Sequence, residues 1–456
     1  MGRTNTRTRW RATAAALLAA GIVVGPVTAP AVAEDTIRQQ QWHLDAMHAP
    51  EMWKTSQGQG ITVAVIDSGF KLDHPDLEGQ FLPGKDFSGS PGGVGSFADG
   101  HGTGMSSLIA GTGKGMGGTG AQGLAPGVKI LPLKINTGSV GALVSTDFLG
   151  QVGQAITYAT EQGAKVVNIS QGIGAVTAFP EDVAKLNQII ATANAKGVLV
   201  VASVGNEGDK GNPIEYPGAL PGVIGVGASD QNGSVTAESE RGSQVALVAP
   251  GMDMIAACTS PTGYCKSHGT SDSTALVSAS AALVWSLHPT WTANQVLRVL
   301  INSAGKPASG ANRTDTAGYG AVRPRIALTN PGDPGPADVS PLPPAATAVP
   351  SAAPSASASV SATPSPVPSP TEVAVGAPTV QPKAGASSGS GGGALPIVGG
   401  VVAGLVAVAG VVFVVVRRRK AAVRAGVQAQ QAVGGVMPPP PSYRPPVSPE
   451  ENPYAK

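Results

Sequence analysis

Residues 61–69 read Ile-Thr-Val-Ala-Val-Ile-Asp-Ser-Gly, an apolar, β-branched run that ends in Asp67 and a glycine turn. Such a run is typical of a buried strand in a parallel sheet. Two later glycine-rich turns carry His101, in residues 99–104 (DGHGTG), and Ser271, in residues 267–271 (SHGTS). An aspartate, a histidine and a serine placed in turns in this order indicate a serine hydrolase built on an α/β sheet.

Apolar runs alternate with helical patterns along the chain, which indicates βαβ units and a three-layer α/β fold with a mostly parallel central sheet. We predict strands at 61–66, 128–133, 165–169, 198–202, 223–226 and 245–248. We predict helices at 102–110, 146–162, 181–196, 274–287 and 293–302, the last with Thr292 as its N-cap. In such sheets functional groups gather at the carboxyl ends of the strands.

The composition bounds the classes of function. The 456 residues include 30 Lys and Arg against 28 Asp and Glu, for a net charge of +2. This near-neutral balance gives no support to nucleic-acid binding through charge. Residues 34–329 have a globular composition and suffice for one large domain with a substantial core.

The N-terminus predicts export. Four arginines precede an apolar stretch at 12–24, and Ala31-Val32-Ala33 forms a small-residue cleavage site, so residues 1–33 are predicted to be a signal peptide. The alternative is a signal anchor that stays uncut. The shortness of the apolar stretch and the good cleavage site favour removal.

The C-terminal third predicts a membrane tether. Residues 330–394 are rich in Pro, Ala and Ser and form a predicted disordered stalk. Residues 395–416 are apolar and, as a helix, would reach across the ~30 Å hydrocarbon core. The basic run 417–420 (RRRK) assigns the Pro-rich tail, 417–456, to the cytoplasm, either disordered or as a ligand of a Pro-binding module. We therefore predict a single-pass protein of the cell membrane with its catalytic domain outside.

Three side chains are candidates for catalysis. A serine hydroxyl needs a histidine to take its proton and a carboxylate to orient that histidine. We assign these roles to Ser271, His101 and Asp67. Each residue alone has an ordinary structural explanation: a helix N-cap for the serine, an inert loop histidine, and a turn aspartate. A further candidate is Asn206, in residues 204–208 (VGNEG), whose side-chain amide could stabilise an oxyanion together with the backbone N–H of Ser271.

Cys258 and Cys265 are the chain's two cysteines. In an exported domain a pair seven positions apart favours a disulfide over a metal site, which needs more ligands nearby. The bridge would close the loop ahead of Ser271.

The segments around Asp67, His101, Asn206 and Ser271 resemble those of subtilisin-like serine proteases in order and in spacing. Residues 168–172 (NISQG) resemble the substrate-binding strand of that family, and residues 216–230 resemble its YP…GVI.VGA.D segment. The resemblance implies that Ser170 and Gly172 pair with the extended backbone of a peptide substrate. The chemistry needs no cofactor. Calcium binding stays open, although the sequence shows no clear cluster of ligands for it.

Within that family the chain is most similar to the mycosins, membrane-tethered proteases associated with type VII secretion. The similarity rests on residues 41–45 (QWHLD), residues 49–50 (AP), the Pro-rich stalk and the terminal membrane helix. It implies a protease made without a folding-assistant propeptide, with its N-terminal segment wrapped around the catalytic body. Components of a type VII secretion system would then be its membrane partners.

Two positions depart from the family pattern. Asp272 places a negative charge beside the nucleophile, and Ala275 stands where the family has proline. Loss of that proline would loosen the first helical turn. We expect reduced or narrowed activity rather than none.

The expected function is that of a serine endopeptidase that processes proteins linked to type VII secretion. Two alternatives remain. The body could mainly stabilise a secretion complex, with weak or dispensable proteolysis, or it could be a general degradative protease on a tether.

Overall fold

The computed structural model describes residues 1–2, 35–97, 99–137, 147–343 and Tyr454. The predicted membrane helix at 395–416 lies outside these ranges, as do residues 3–33 of the predicted signal peptide, residues 344–394 of the predicted stalk, and all of the predicted tail (417–456) except Tyr454. Residues 330–343, the start of the predicted disordered stalk, are instead ordered against the body, where Arg298 donates hydrogen bonds to the carbonyls of Pro334, Pro336 and Val339. Within the described ranges no helix is both long enough and apolar enough to span a membrane.

A central sheet organises the body. The strands are β1 (Thr62–Asp67), β2 (Lys85–Asp86), β3 (Lys129–Lys134), β4 (Val166–Ile169), β5 (Ile173–Gly174), β6 (Leu199–Ser203), β7 (Glu215–Tyr216), β8 (Val223–Ser229), β9 (Val245–Pro250), β10 (Met254–Ala257) and β11 (Tyr264–Ser267). Seven of them form one sheet in the order β2-β3-β1-β4-β6-β8-β9, and every neighbouring pair in it is parallel. The other four form two small antiparallel pairs, β5-β7 and β10-β11.

Helices cover both faces of this sheet. They are α1 (Ile37–Gln40), α2 (Trp42–Ala46), α3 (Ala49–Met52), α4 (His101–Ala110), α5 (Gly115–Gly118), α6 (Phe148–Glu161), α7 (Pro180–Ala195), α8 (Thr270–Leu287), α9 (Ala293–Ser303) and α10 (Pro324–Thr329). Alternate residues of β1 enter two separate cores: Val63 and Val65 pack with α4, α8 and α9, whereas Ala64 and Ile66 pack with α6 and α7. The predicted three-layer α/β fold with a parallel sheet is confirmed.

The predicted long elements are present with small shifts at their ends, and one boundary is wrong. Helix α8 begins at Thr270 rather than at residue 274. Residues 271–274 are polar, which is typical of a cap, yet here their hydroxyls are satisfied within the fold. Ser273 Oγ donates to the carbonyl of Ala249, and Thr274 Oγ1 to that of Thr270. The N-cap prediction for Thr292 is confirmed by a capping box with Gln295.

The N-terminal segment, residues 35–55, is docked on the body. Gln41 exchanges two hydrogen bonds with the backbone of Gln122, each 2.9 Å long. The indole N–H of Trp42 donates to the carbonyl of Met252, and that of Trp53 to the carbonyl of Leu124. The segment thus lies against the body as the resemblance to mycosins implies.

Candidate active site

The candidate residues meet at one edge of the sheet. Asp67 is the last residue of β1, Ser170 follows β4 directly, and Asn206 lies three residues beyond β6. Because these strands are parallel neighbours, their carboxyl ends share one edge. Helices α4 and α8 contribute His101 and Ser271 from their first turns.

Asp67 is fully buried and rich in hydrogen bonds. Its Oδ1 accepts from the backbone N–H of Ser68 at 2.7 Å and from the side-chain amide of Gln171 at 3.1 Å. These donors satisfy the carboxylate in a buried site, where a polar group without a hydrogen-bond partner would be costly.

His101 pairs with that carboxylate. Its Nδ1 lies 2.9 Å from both Asp67 oxygens, and its side chain keeps 30% exposure. A Cβ atom at Gly102 would lie 2.9 Å from Cβ of Asp67, so the glycine after the histidine allows this close approach. Burial lowers the pKa of His101, but the charge of Asp67 and the hydrogen bond to it outweigh burial, and Asp272 and Asp99 add to them. The net effect raises the pKa above its ordinary value.

Ser271 is the second residue of α8, partly exposed at the start of that helix. Its hydroxyl donates to the carbonyl of Ser170 at 3.0 Å, and Ser170 Oγ donates in return to the carbonyl of Ser271 at 2.9 Å. Among the described residues the hydroxyl makes no hydrogen bond to His101. A rotation of the serine side chain is therefore needed before His101 can take its proton.

The amide of Asn206 is held beside the same helix end. Its Oδ1 accepts from the backbone N–H of Thr270 at 2.8 Å and from the Thr270 hydroxyl at 3.1 Å. A Cβ at Gly269 would come within 3.1 Å of both amide atoms, and Gly269 has a φ of +123°, so glycine is required here. With Oδ1 so engaged, the NH₂ group of Asn206 remains for a ligand.

Asp272, next in sequence to Ser271, is buried. Its Oδ1 accepts from Ser267 Oγ at 3.1 Å, whereas Oδ2 is without a hydrogen-bond partner in the described part of the chain. Burial raises the pKa of Asp272 to about 6, although the charge of His101 opposes the rise. Asp272 thus places a titratable charge within the electrostatic reach of His101.

The expectation for Ala275 needs correction. Ala275 is the sixth residue of α8 and fully buried, so it does not lie in the first turn, where proline costs no hydrogen bond. In a helix interior alanine is the best former and proline the worst. Alanine there favours a regular helix instead of loosening it.

Sequence reasoning missed two residues of the site. Gln171 Nε2 lies 3.0 Å from His101 Nδ1 and also donates to Asp67. Asp99 accepts from Ser68 Oγ at 2.6 Å and from the backbone N–H of His101 at 3.0 Å. Gln171 sits between the two predicted substrate-binding residues, so its place at the end of β4 was the available signal.

The predicted disulfide is present. Cys258 follows β10 and Cys265 lies near the start of β11, so the bridge closes the turn of this hairpin. The chain then runs from β11 through His268 and Gly269 into α8. The hairpin is thus the element immediately ahead of Ser271.

Comparison with known proteins gives a family and several relatives. The model of the subtilase family, Peptidase S8, matches residues 58–322. An intracellular serine protease of Paenibacillus polymyxa is 33% identical over 251 residues, which cover 53% of this chain and 71% of that protein. Subtilisin Savinase of Lederbergia lenta is 31% identical over 268 residues, 58% of this chain and 90% of the relative.

Solved structures that share this fold include the following three, and two of these are named for ESX systems. MycP1 from Mycobacterium smegmatis has a TM-score of 0.57 at 26% identity, over 67% of this chain and 89% of its own. MycP3 protease from the type VII (ESX-3) secretion system has a TM-score of 0.54 at 27% identity, over 63% and 88%. A chain of the periplasmic assembly from the ESX-5 inner membrane complex has a TM-score of 0.57 at 26% identity, over 74% and 91%.

Proposed function

Because this chain belongs to the subtilase family and is a subtilisin-like serine endopeptidase, we propose that Ser271, His101 and Asp67 carry its reaction, with Asn206 as an oxyanion donor. The supporting observation is the 2.9 Å approach of His101 Nδ1 to the buried carboxylate of Asp67. That bond fixes the proton on Nδ1 and leaves Nε2 as the basic nitrogen.

The reaction follows from these roles. Ser271 turns its hydroxyl from the carbonyl of Ser170 toward His101, and Nε2 takes the proton as Oγ attacks the substrate carbonyl. The NH₂ group of Asn206 and the backbone N–H of Ser271 stabilise the oxyanion that forms. Nε2 then protonates the leaving amine, the C–N bond breaks, and water hydrolyses the acyl-enzyme by the same route. Asp67 stabilises the imidazolium throughout.

The substrate is an extended peptide. Ser170 and Gly172 continue from β4 at the sheet edge that holds Ser271, where backbone pairing would align a peptide with the nucleophile. The proposed setting is type VII secretion, because solved neighbours include proteins named for such systems and a chain of an inner membrane complex. Proteins handled by such a system would be its substrates, and components of the complex its partners.

A structural role is the second candidate. The hydroxyl of Ser271 bonds to Ser170 rather than to His101, and Asp272 adds charge beside it. A body of this kind could stabilise a secretion complex with little proteolysis. Comparing secretion after Ser271→Ala with secretion after deletion of the whole chain separates the two, since normal secretion with the point variant alone would favour the scaffold.

The membrane anchor at 395–416 and the cytoplasmic tail belong to the proposal as well. Tyr454, near the C-terminus, argues against a cytoplasmic tail, because it is buried in the body and contacts Ser229. Protease protection of a C-terminal tag on intact cells decides the topology. A protected tag agrees with a cytoplasmic tail, whereas a cleaved tag places the chain end with the body.

The experiment for catalysis uses the full chain in detergent. A fluorophosphonate probe is expected to label the parent protein and to leave Ser271→Ala unlabelled. Asn206→Ala should lower kcat about 10²–10³-fold with little change in KM, a magnitude measured for one such donor in a subtilisin. Thr270→Val is the matched control, because it removes one bond to Asn206 but leaves the amide in place. A folded parent that resists labelling would overturn the proposal.

A further inference from the structure

Three glutamates gather beside the candidate catalytic groups; we call Glu207, Glu215 and Glu240 the glutamate cluster. Oε2 of Glu215 lies 2.8 Å from where a Cβ atom of Gly172 would be. The carboxylate of Glu240 lies directly against Gly205, the residue before Asn206. Glu207 follows Asn206 and is exposed at the rim.

The fold leaves a gap between two strand ends at this place. Strands β4 and β6 pair up to Ile169 and Ala202. Beyond them the chains part: β5 pairs with β7, so that Gly174 faces Glu215, while the N–H of Val204 bonds to the carbonyl of Val226 on the other side. The segment that holds Glu215 therefore bridges the two diverging ends.

The gap is where one side chain of a bound substrate would lie. A carbonyl held by Asn206 and attacked by Ser271 belongs to the residue just before the cleaved bond. With the peptide laid along Ser170–Gly172, that residue's side chain points between this segment and residues 204–206. The glutamate cluster thus surrounds the side chain before the cut.

The cluster lacks compensating charge. In the described part of the chain no Lys, Arg or His forms an ion pair with any of the three. Glu240 is fully buried, and no side chain among the described residues donates a hydrogen bond to its carboxylate. Burial raises the pKa of Glu240 to about 8 and the charge of Glu215 adds to this, whereas the backbone N–H of Glu207 opposes the rise. A cation in the gap would relieve this cost.

An organic cation fits better than a metal ion. In the ranges that the structure covers, no three acidic, histidine or cysteine side chains lie close enough together to hold a metal. Calcium needs six to eight oxygens converging at about 2.4 Å. Glu215 instead lies beside Gly172 and Glu240 beside Gly205, a spread-out arrangement that suits an extended, multiply donating cation.

We propose that the glutamate cluster binds the positively charged side chain of a Lys or Arg residue immediately before the cleaved bond. The inference rests on the proposed function, because Ser271 and Asn206 define where the cut occurs. The partly exposed Glu215 lines the gap beside Gly172, and the buried Glu240 lies behind it against Gly205, so that together they determine the specificity. The exposed Glu207 adds charge at the entrance.

A binding experiment tests this without turnover. Calorimetry on the full chain carrying Ser271→Ala compares benzamidine, a planar cation, with benzamide, its uncharged analogue. Charge-assisted hydrogen bonds predict that benzamidine binds about 10- to 100-fold more tightly. Adding Glu215→Gln or Glu240→Gln should abolish most of the difference, whereas Glu161→Gln, an exposed change at the end of α6, should keep it. Equal affinities for the two ligands would overturn the proposal.

A kinetic experiment tests the same pocket in the parent enzyme, using matched peptides that differ only in Lys or Leu before the cut. The parent should show at least about tenfold higher kcat/KM for Lys, and the ratio should fall toward one in Glu215→Gln with Glu240→Gln. Faster cleavage after Leu would overturn the specificity while the protease assignment stands. Conversely, a chain that binds benzamidine through these glutamates but resists fluorophosphonate keeps the pocket and loses the proposed catalysis.

Discussion

At the residue scale, the charge of Asp272 acts on the proposed base. An ionised Asp272 favours the protonated form of His101 and so raises the pKa of that histidine. Catalysis needs His101 neutral, and activity should therefore rise with pH along a limb that lies above pH 6.5. Asp272→Asn removes the charge and should move this limb to lower pH, with a severalfold gain in kcat/KM on it.

The measurement is a pH profile of kcat/KM from pH 6 to pH 10 for the parent and Asp272→Asn. Asp35→Asn, an exposed change in the N-terminal segment, is the control and should leave the limb in place. If the limb of the kcat/KM profile lies at the same pH in Asp272→Asn as in the parent, the carboxylate of Asp272 does not influence the pKa of His101. A shift to higher pH would contradict the sign of the argument.

Residue-scale prediction from the sequence had a clear limit. Asp67, His101, Asn206 and Ser271 could be named because each stands in a glycine turn after a strand or before a helix, and the structure brings them to one edge. Gln171 and Asp99 could not, since their contacts depend on side-chain directions across the sheet edge. The roles of the named residues stay predictions until the labelling experiment.

At the element scale, the β10-β11 hairpin directly precedes α8, the helix that carries Ser271 in its first turn. The Cys258–Cys265 bridge closes a short loop with a sequence separation of 7. By chain entropy such a loop contributes about 2 kcal/mol to the free energy of unfolding. Replacing both cysteines by alanine should lower the unfolding free energy by that amount.

Denaturant unfolding with and without reductant measures this effect. The parent in reductant should match the Cys258→Ala, Cys265→Ala double variant, and the double variant should not respond to reductant. If parent and variant have equal midpoints and slopes, the bridge contributes nothing to stability. A change in slope alone would instead place the effect in the unfolded chain.

The elements that the sequence predicted poorly share a physical cause. Strands β2, β5 and β7 are two residues long, too short for a period to be visible. The start of α8 was placed too late because its first residues are polar, and the hydroxyl of Ser273 finds its partner, the carbonyl of Ala249, only in the folded body. Long, strongly patterned strands such as β1 were placed within one residue.

At the scale of the whole molecule, Glu240 lowers the free energy of unfolding at the pH where the enzyme would work. Its pKa rises from 4.5 to about 8 on folding, because burial and the charge of Glu215 disfavour ionisation. The unfolded chain therefore loses this proton first, so the contribution of Glu240 to the free energy of unfolding is most favourable below pH 4.5 and declines as pH rises to about 8. Glu240→Gln should raise Tm by about 2–6 °C at pH 8 and leave it unchanged near pH 4.

Thermal unfolding of parent and variant at both pH values checks this, with Glu161→Gln as the exposed control. A gain of equal size at both pH values would mean that packing, rather than ionisation, sets the effect. A loss at pH 8 would mean that the carboxylate has a stabilising partner.

The molecule as a whole was largely predictable. The family prediction and the α/β fold are confirmed, because the alternation of buried strands and helices is regular from residue 61 onward. The glutamate cluster was not foreseen, since its members are separated in sequence and meet only where β4 and β6 diverge. Predictions for residues 344–394 of the stalk, for the membrane helix and for nearly all of the tail fall outside the described residues and stay predictions.

The docking of the N-terminal segment also affects the order in which contacts form while the chain is being synthesised. Trp42 is among the earliest of the described residues to leave the ribosome, but its acceptor on Met252 comes 210 residues later. At about 5–20 residues per second, roughly 10–40 s pass before the two can meet. Gln41 and Trp53 can already bond to Gln122 and Leu124 by then, so the segment attaches in two stages. The Trp42 contact is the late, long-range one, and a chain cut short before residue 252 would lack it.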